Sequence, residues 1–181
     1  MLPRRLKRGN LLRIPVIYIR GKQAFSKKEG IMTFLGKPTD VARDFAENGR
    51  KLIHIIDLDS KGRSPNFDVY DSLTCIMNIQ IECSNEGFAK KLVDIKSRVV
   101  VKLPSNFSFD DFSENERLMV GQIDCNYSGS MDGVHDLVIE NADDEAIKKF
   151  LKSKKRLIIR KKDFEKLKSE NKKKIWGLLE Q

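Results

Sequence analysis

Thiols and imidazoles offer the widest range of chemistry among side chains, and this sequence holds few of them. The three cysteines, Cys75, Cys83 and Cys125, form no Cys-x-x-Cys pair, and the chain has only two histidines among 181 residues. Zinc sites need clustered Cys and His ligands, and a disulfide framework needs paired cysteines. We therefore expect no structural metal and no disulfide framework, and we expect a reducing, cytoplasmic environment.

Glycine-based motifs for cofactor binding or acyl transfer do not occur either. The sequence contains no G-x-x-x-x-G-K-[ST], G-x-G-x-x-G or G-x-S-x-G pattern, and these patterns mark phosphate, dinucleotide and nucleophile sites. We therefore expect no cofactor.

His54 lies inside the apolar run 52–58 and is expected to be a core histidine.

Basic residues are concentrated near the two ends of the sequence. Residues 1–13 carry five Lys or Arg and no acid, and residues 148–174 carry 14 against three Asp or Glu. The formal net charge is +9, so the rest of the chain is net acidic. Clustered cations favour nucleic acid or another polyanion, and a solvated lysine-rich surface explains the same composition. We prefer the second interpretation, because the basic ends hold almost no aromatic residues for base stacking.

The overall composition favours one folded domain. A hydrophobic content of 40% is sufficient for a buried core and excludes an intrinsically disordered chain. No apolar stretch reaches the roughly 20 residues that a membrane-spanning helix needs. We expect a single domain over residues 1–181 and no membrane partner.

Short apolar runs alternate with helix-compatible stretches along the chain. Eight runs are predicted as strands, at residues 13–19, 52–58, 76–81, 99–103, 119–124, 137–140, 157–159 and 175–179. Helices are predicted at 39–49, with Thr39 as a possible cap, and at 86–95, 143–151 and 163–170, with short ones around Tyr70 and at 110–116. The connection between residues 124 and 137 has two glycines and no helical periodicity, which predicts a loop.

This alternation predicts parallel strands joined by right-handed crossovers. Eight such strands indicate a (β/α)8 barrel of the TIM type, although these barrels usually hold about 250 residues. The expected fold is therefore α/β, a shortened and degenerate barrel with several helices reduced or missing. The sequence ends directly after the eighth predicted strand, so we expect a homo-oligomer to cover exposed strand faces.

Two motifs near the start of the sequence occur in an informative order. Residues 14–23 read IPVIYIRGKQ, and residues 36–59 read GKPTDVARDFAENGRKLIHIIDLD. This segment resembles the start of the HisA/HisF family of histidine-biosynthesis (β/α)8 barrels. In that family the first strand typically reads I-P-A-I-D followed by G-K, and the second strand ends in V-V-D-L-D. The resemblance covers residues 13–60, and beyond them only the order and spacing of the strands agree.

The resemblance implies two catalytic carboxylates, one ending the first strand and one ending the fifth, which act as general acid and base. Tyr18 stands at the first position and cannot act as a carboxylate base. Asp124 stands at the second position, and Asp57 matches the aspartate that ends the second strand. Asp124, Asp57 and Tyr18 are thus the catalytic candidates, and Tyr18 either contacts a ligand or fills the space left by a lost substrate.

The resemblance also implies phosphate sites made by glycine-rich turns after the third and seventh strands. The corresponding segments read ECSNEG and RKKDFE, which cannot form three-glycine turns. Arg160, Lys161 and Lys162 either neutralise an anion with side-chain charge or form the basic first turn of a helix. Gly177 and Lys22 match the eighth-strand glycine and the G-K motif, and they complete the candidate anion-binding set.

Three functional hypotheses follow. The preferred one is a divergent HisA/HisF-like barrel that has lost the phosphoribosyl isomerase or cyclase activity and is non-catalytic or binds a small anion such as a phosphorylated ligand. The alternative is an isomerase or lyase acting on a phosphorylated sugar derivative, with Asp124 and Asp57 as acid–base groups. The third is a basic, nucleic-acid-associated binding module.

Overall fold

The computed structural model describes residues 11–59 and 66–181 of the chain. Eight parallel strands form a closed barrel, because the last strand pairs with the first. Helices connect most of these strands and pack around the barrel. The expectation of an α/β barrel is therefore confirmed. Most of the basic segment 1–13 lies outside the described residues.

The strands of the barrel follow one another in chain order around its wall. In chain order, the strands are β1 (Leu12–Arg20), β2 (Gln23–Lys28), β3 (Ile31–Gly36), β4 (Leu52–Asp57), β5 (Asn78–Glu82), β6 (Arg98–Lys102), β7 (Met119–Asp124), β8 (Asp136–Glu140), β9 (Arg156–Arg160) and β10 (Gly177–Glu180). The barrel consists of β1 and β4 to β10, while β2 and β3 form a hairpin attached to β1. Each of the eight predicted strands overlaps one barrel strand.

The helices lie outside the barrel wall. They are α1 (Pro38–Glu47), α2 (Phe67–Thr74), α3 (Glu86–Asp94), α4 (Asp144–Leu151), α5 (Lys161–Lys166) and α6 (Ser169–Lys172), and a 3₁₀ segment, Phe109–Leu118, precedes β7. Residues 125–135 hold no helix, as predicted, and the predicted helix 163–170 is divided between α5 and α6. None of the described helices is long and apolar enough to cross a membrane.

Helix starts follow local side-chain chemistry. The helix α1 begins at Pro38, so the expectation of Thr39 as its cap was wrong. Proline suits a first turn because the N–H that it lacks would have no helical partner there. In α3 and α4 the side chains of Asn85 and Asp143 each accept a hydrogen bond at 2.8 Å from the backbone N–H three residues later.

Alternate residues of each barrel strand pack into two separate clusters. Outward-facing residues, such as Ile53 and Ile55, pack with the helices. Inward-facing apolar residues form an interior cluster, defined by Ile14, Val16, Tyr18, Leu52, Val100, Val120, Val138, Ile158 and Leu179. The barrel is therefore filled by side chains rather than hollow, as is usual for eight strands.

The hairpin after β1 was not predicted from the sequence. Its two-residue turn consists of Glu29 and Gly30, with φ angles of 50° and 85°, and a type I′ turn requires positive values at both positions. Phe25 of β2 and Met32 of β3 pack against the interior cluster. Because Phe25 pairs with Tyr18 near the end of β1, the hairpin lies across the C-terminal end of the barrel.

Asp144 links α6 to the start of α4. Its Oδ1 accepts hydrogen bonds from Asn171 Nδ2 at 2.5 Å and from the backbone N–H of Lys168 at 3.1 Å. The Asn171 hydrogen bond is the main cause that lowers the pKa of Asp144. A lowered folded-state pKa means that the ionised carboxylate stabilises the fold at neutral pH, and that this effect is lost as pH falls through the folded pKa.

We therefore expect Asp144→Ala to lower the melting temperature at neutral pH and to have a smaller effect as pH falls below about 4. Thermal unfolding followed by circular dichroism at neutral and acidic pH measures the difference. Glu145→Ala is the control, because Glu145 is exposed on the same helix and forms only a surface ion pair at 3.3 Å with Lys148. If the loss of melting temperature in Asp144→Ala were the same at neutral and acidic pH, the ionised Asp144 carboxylate would not be the stabilising form.

Candidate functional site

The C-terminal ends of the barrel strands, here called the mouth, carry many inward-facing polar side chains. In parallel (β/α)8 barrels the ligand site lies at this end. A cleft opens there, and side chains from most of the barrel strands line it. They are Val16, His54, Ile56, Glu82, Gln122, Val138, Arg160, Leu179 and Gln181.

Tyr18 closes the β1 side of the mouth. The residue is only 7% exposed, and Gln181 Nε2 donates a hydrogen bond to its hydroxyl oxygen at 2.8 Å. Lys27 Nζ, on the hairpin, lies 5.9 Å from the centre of its ring. Burial raises the pKa of Tyr18, an effect that Arg160 opposes and Glu82 reinforces. The phenol is therefore uncharged at neutral pH.

Replacing Tyr18 with phenylalanine tests this description of the hydroxyl. We expect Tyr18→Phe to lower the free energy of unfolding by about 1 kcal/mol, because one hydrogen bond is lost. We also expect alkaline titration at the absorbance of tyrosinate to lose a component that ionises above the ordinary pKa of 10.0. If the component lost in Tyr18→Phe ionised with a pKa at or below 10.0, the Tyr18 hydroxyl would not be buried as described.

Arg160 is already compensated by a carboxylate. Its Nη2 donates to Glu140 Oε1 at 3.1 Å, and Gln122 Nε2 donates to the same oxygen at 2.9 Å. Arg160 therefore lines the cleft as one partner of an ion pair.

A series of hydrogen bonds runs through the barrel interior from Arg98 to Glu82, and each residue in it donates to the next. Arg98 Nη1 contacts Gln80 Oε1 at 3.0 Å, and a guanidinium can only donate. The Gln80 amide nitrogen therefore faces His54 Nδ1, 2.8 Å away, and donates to it. With Nδ1 as an acceptor, the His54 proton lies on Nε2, which donates to Glu82 Oε1 at 3.1 Å. The series holds His54 in one tautomer and orients Glu82.

The N-terminal end of the barrel interior holds a charge cluster formed by Arg98, Asp136, Arg156 and Trp176. Asp136 is fully buried and accepts hydrogen bonds from Arg156 Nε and Nη2, both at 2.6 Å, and from Arg98 Nη2. The ring centre of Trp176 lies 3.9 Å from Arg156 Cζ and 5.5 Å from Arg98 Cζ. Burial lowers the pKa of Arg98 to about 10, so Arg98 remains charged at neutral pH. The two arginines share one carboxylate and one indole.

Little space remains at the mouth. The cleft encloses about 270 Å³, including the part that is open to solvent, and its interior has room for about one water molecule. Phe25 and Met32 of the hairpin pack against the interior cluster at the same end. Sites for small organic ligands usually enclose about 300–1,000 Å³, so this cleft lies below the usual range.

Asp57 lies on the outer face of β4 and not in the mouth. The residue is 8% exposed and accepts hydrogen bonds from the Tyr70 hydroxyl at 2.5 Å and from Asn66 Nδ2 at 3.0 Å. The backbone N–H of Asp59 also donates to it at 2.9 Å. Asp57 therefore joins β4 to α2.

Asp124 lies at the exposed rim of the barrel. Its Oδ1 accepts a hydrogen bond from the backbone N–H of Asn126 at 3.0 Å, and its Oδ2 accepts one from Asn141 Nδ2 at 3.3 Å. These hydrogen bonds, that of Asn126 first, lower the pKa of Asp124. The carboxylate thus stabilises the loop after β7 and connects it to the turn after β8.

Three of the candidate anion-binding lysines lie away from the mouth cleft. Lys22 Nζ forms an ion pair with Asp68 Oδ2 at 2.8 Å. Lys161 and Lys162 are exposed in the first turn of α5. None of the three lines the cleft.

Gly177 lies at the opposite end of the barrel from the mouth. It is the first residue of β10 and pairs with Leu12 at the start of β1. A Cβ atom at this position would lie 3.0 Å from Ile14 Cδ1 and 3.1 Å from Ile158 Cγ1. The glycine therefore permits close packing inside the barrel. Of the candidate anion-binding residues, Arg160 lines the mouth cleft.

Sequence analysis did not identify most of the polar residues inside the barrel. These residues are Gln80, Glu82, Arg98, Gln122, Asp136, Glu140, Arg156 and Gln181. A signal for some of them exists, because polar residues alternate with apolar ones in NIQIE at 78–82. In DLVIE at 136–140, Asp136 and Glu140 are four residues apart and so lie on the same face of the strand. In a strand that helices cover on the outside, such alternation marks the inward face.

Comparisons with known proteins add no name to this geometry. The chain matches no protein-family model and no curated protein. Within residues 11–59 and 66–181, no group of three or more His, Cys, Asp or Glu side chains is arranged to hold a metal ion.

Proposed function

We propose that this chain is a divergent, shortened HisA/HisF-like barrel that has lost the phosphoribosyl isomerase or cyclase activity and is non-catalytic. The sequence resemblance over residues 13–60 supports the family. The absence of a helix in residues 125–135 and the four-residue length of α6 support the description of the barrel as shortened.

The position of Tyr18 is the observation that carries the loss of activity. The resemblance implies a catalytic carboxylate at this place, and a carboxylate accepts a proton near neutral pH far more readily than a phenol with a raised pKa. The Tyr18 hydroxyl accepts a hydrogen bond from Gln181, and the Tyr18 ring packs in the interior cluster. The packed Tyr18 side chain therefore stands where the resemblance implies a catalytic base, and it fills part of the space that a substrate would need.

The second carboxylate position supports the same conclusion. Acid–base isomerisation needs two groups close to the reacting atoms, with pKa values held apart. The Asp124 carboxylate is engaged by Asn126 and Asn141 at the rim, and its pKa is lowered rather than raised. Asp124 therefore lacks the environment of a general acid.

The other hypotheses have less support from the geometry. An isomerase or lyase with Asp57 and Asp124 as its acid–base pair would need both groups at one cavity, whereas Asp57 lies on the outer face of β4. Small-anion binding at the mouth is disfavoured because Arg160 is paired with Glu140. The nucleic-acid hypothesis depends on the charge of segment 148–174, and that segment holds few aromatic residues on which bases could stack.

Growth complementation tests the proposal. The chain is expressed in two strains that cannot make histidine, one lacking the isomerase and one lacking the cyclase. We expect no growth without histidine in either strain, while plasmids that carry the authentic genes restore growth. Growth with the chain, lost again in an Asp124→Asn variant, would instead support the isomerase or lyase hypothesis and contradict the proposal.

A further inference from the structure

Basic residues are concentrated at the end of the barrel opposite the mouth. The barrel strands are parallel, so the residues that lead into them lie together at this one end. The three residues before each of β4 to β10 include seven Lys or Arg and one acid, Glu116. These seven bases, here called the basic face, are Arg50, Lys51, Lys96, Arg117, Lys154, Lys155 and Lys174.

The mouth shows no such excess of positive charge. Three of the eight barrel strands end in a base, and five end in an acid, namely Asp57, Glu82, Asp124, Glu140 and Glu180. Four of the seven bases of the basic face lie outside the segment 148–174. The basic face is therefore formed by the fold, which brings several short stretches of sequence together, and not by one lysine-rich segment.

Most of the basic face has no compensating charge. Arg50 forms an ion pair with Glu180 at 3.0 Å, and Lys155 Nζ donates to the backbone oxygen of Val134. The other five bases are exposed and take part in no ion pair within residues 11–59 and 66–181. Clustered charges of one sign attract a ligand of the opposite sign.

Lys96 has a strained backbone in this face. Its φ angle is 63°, and it follows α3 in a motif in which its N–H donates to Val93 O at 2.9 Å and the Ser97 N–H donates to Leu92 O at 3.0 Å. Glycine is usual at this position because it lacks a Cβ atom. The helix α1 ends in the same motif with Gly49, at a φ angle of 76°.

The helix dipole does not account for a lysine at this position. A base interacts favourably with the dipole anywhere in the last turn of a helix, so no strained residue is needed for that purpose. Lys154, which precedes β9, also has a positive φ angle, of 60°. Two of the exposed bases thus occur where an L-amino acid is disfavoured, which points to a use for their charge outside the fold.

The surroundings of the basic face disfavour two kinds of anionic partner. A membrane surface is bound through buried apolar side chains as well as charge, and the large exposed hydrophobic residues of the described chain lie on the hairpin or after β4: Ile31, Phe34, Leu35 and Leu58. Single-stranded nucleic acid is bound by stacking on aromatic rings. The one Phe, Tyr or Trp that leads into β4 to β10 is Trp176, whose ring already lies against Arg156.

We propose that the basic face binds the phosphate backbone of double-stranded nucleic acid without reading its sequence. A duplex carries about one negative charge per 1.7 Å of its axis and presents these charges on its outside, so binding needs no stacking of bases. Each phosphate contact releases counterions, which supplies the free energy of such binding. The proposal is independent of the lost activity, because the mouth lies at the other end of the barrel.

Salt dependence tests the nature of the contact. Fluorescence anisotropy follows binding to a short labelled DNA duplex and to an RNA duplex of the same length. If the five exposed bases each contact a phosphate, the affinity falls roughly 10²–10³-fold between about 50 and 200 mM salt. Binding to either duplex with this dependence supports the proposal. No binding at the lower salt concentration, or an affinity that salt does not change, would overturn it.

Two matched triple variants test the location of the contact. The first removes three charges from the basic face: Lys96→Gln, Lys154→Gln and Lys174→Gln. The second removes three exposed, unpaired lysines at the mouth end: Lys28→Gln, Lys161→Gln and Lys162→Gln. We expect the first to lower the affinity at least tenfold and to reduce the slope of log affinity against log salt by about three, and the second to have little effect. Equal losses in the two triple variants would overturn the proposed location.

Lys96→Gly separates binding from folding. We expect its melting temperature to equal or exceed that of the wild type, because glycine adopts the left-handed conformation without strain, and its affinity for the duplex to fall several-fold. A lowered melting temperature with unchanged affinity would show that Lys96 serves the fold alone. Vesicles containing phosphatidylserine, or poly-glutamate, that bind the wild type as tightly as the duplex does would overturn the choice of partner.

Discussion

Replacing Asp136 with alanine is expected to lower the free energy of unfolding by about 3–5 kcal/mol, because the removal of one partner leaves buried charge uncompensated. Arg98 and Arg156 both donate to this carboxylate. Arg98 is only 9% exposed, so water cannot replace the lost partner. Urea unfolding followed by circular dichroism measures the change.

Two further variants separate the loss of charge from the loss of volume. Asp136→Asn keeps the size of the side chain, and we expect it to be destabilising as well. A triple variant, Asp136→Leu with Arg98→Met and Arg156→Met, removes the whole ion cluster and should recover part of the stability, because apolar replacements of buried ion clusters are often neutral. The recovery is incomplete because Gln80 Oε1 then lacks its Arg98 donor. A loss below about 1 kcal/mol for Asp136→Ala, the range of an exposed ion pair, would show that the cluster is solvated.

Replacing Gln80 with leucine is expected to lower the free energy of unfolding by about 2–4 kcal/mol, because two buried polar atoms lose their partner. Gln80 is fully buried and connects Arg98 Nη1 to His54 Nδ1. Leucine has a similar volume but no polar atoms. Urea unfolding gives the free energy, and the ¹⁵N chemical shifts of the His54 ring report whether its proton leaves Nε2.

Gln122→Leu is the matched control, since it makes the same chemical change nearer the mouth. Gln122 donates to Glu140, which keeps Arg160 as a second partner. We expect a loss of about 1 kcal/mol or less. If Gln122→Leu were as destabilising as Gln80→Leu, the hydrogen bonds between Arg98 and Glu82 would not contribute more to stability than those at the mouth.

The barrel could be predicted because its strands are buried on both faces. Runs such as LIHIIDL at residues 52–58 are almost continuously apolar, which is typical of parallel strands under helices. Their number and their spacing by helices then restrict the topology to few possibilities. The connection after β7 was predicted as a loop for an equally local reason, its two glycines.

The residues of the candidate site were mostly not predicted, because their positions depend on which face of its strand each residue takes. Asp57 follows Ile56, and Ile56 lines the mouth cleft, so the strand alternation turns Asp57 outward toward Tyr70. Position at the end of a strand is therefore not sufficient to place a side chain in the mouth. The inward-facing Glu82 and Glu140 end their strands in the opposite phase.

The hairpin was missed because its signals are weak. The sequence QAFSKK of β2 has few apolar residues, and Glu-Gly is a less common pair for a type I′ turn than Asn-Gly or Asp-Gly. Its stability comes from tertiary contacts, above all from Phe25 and Met32 on the interior cluster. A strand that depends on such contacts leaves little trace in its own sequence.

The central claim is that the mouth no longer accepts a phosphoribosyl group, and an NMR titration with ribose 5-phosphate tests it most directly. Amide ¹H–¹⁵N spectra are recorded at increasing, millimolar concentrations of the ligand. We predict no saturable shift at Tyr18, Arg160 or Gln181. The side chains of Tyr18 and Gln181 already form a hydrogen bond with each other, and Arg160 forms one with Glu140. Saturable shifts centred on these three residues would contradict the claim and restore the mouth as a ligand site.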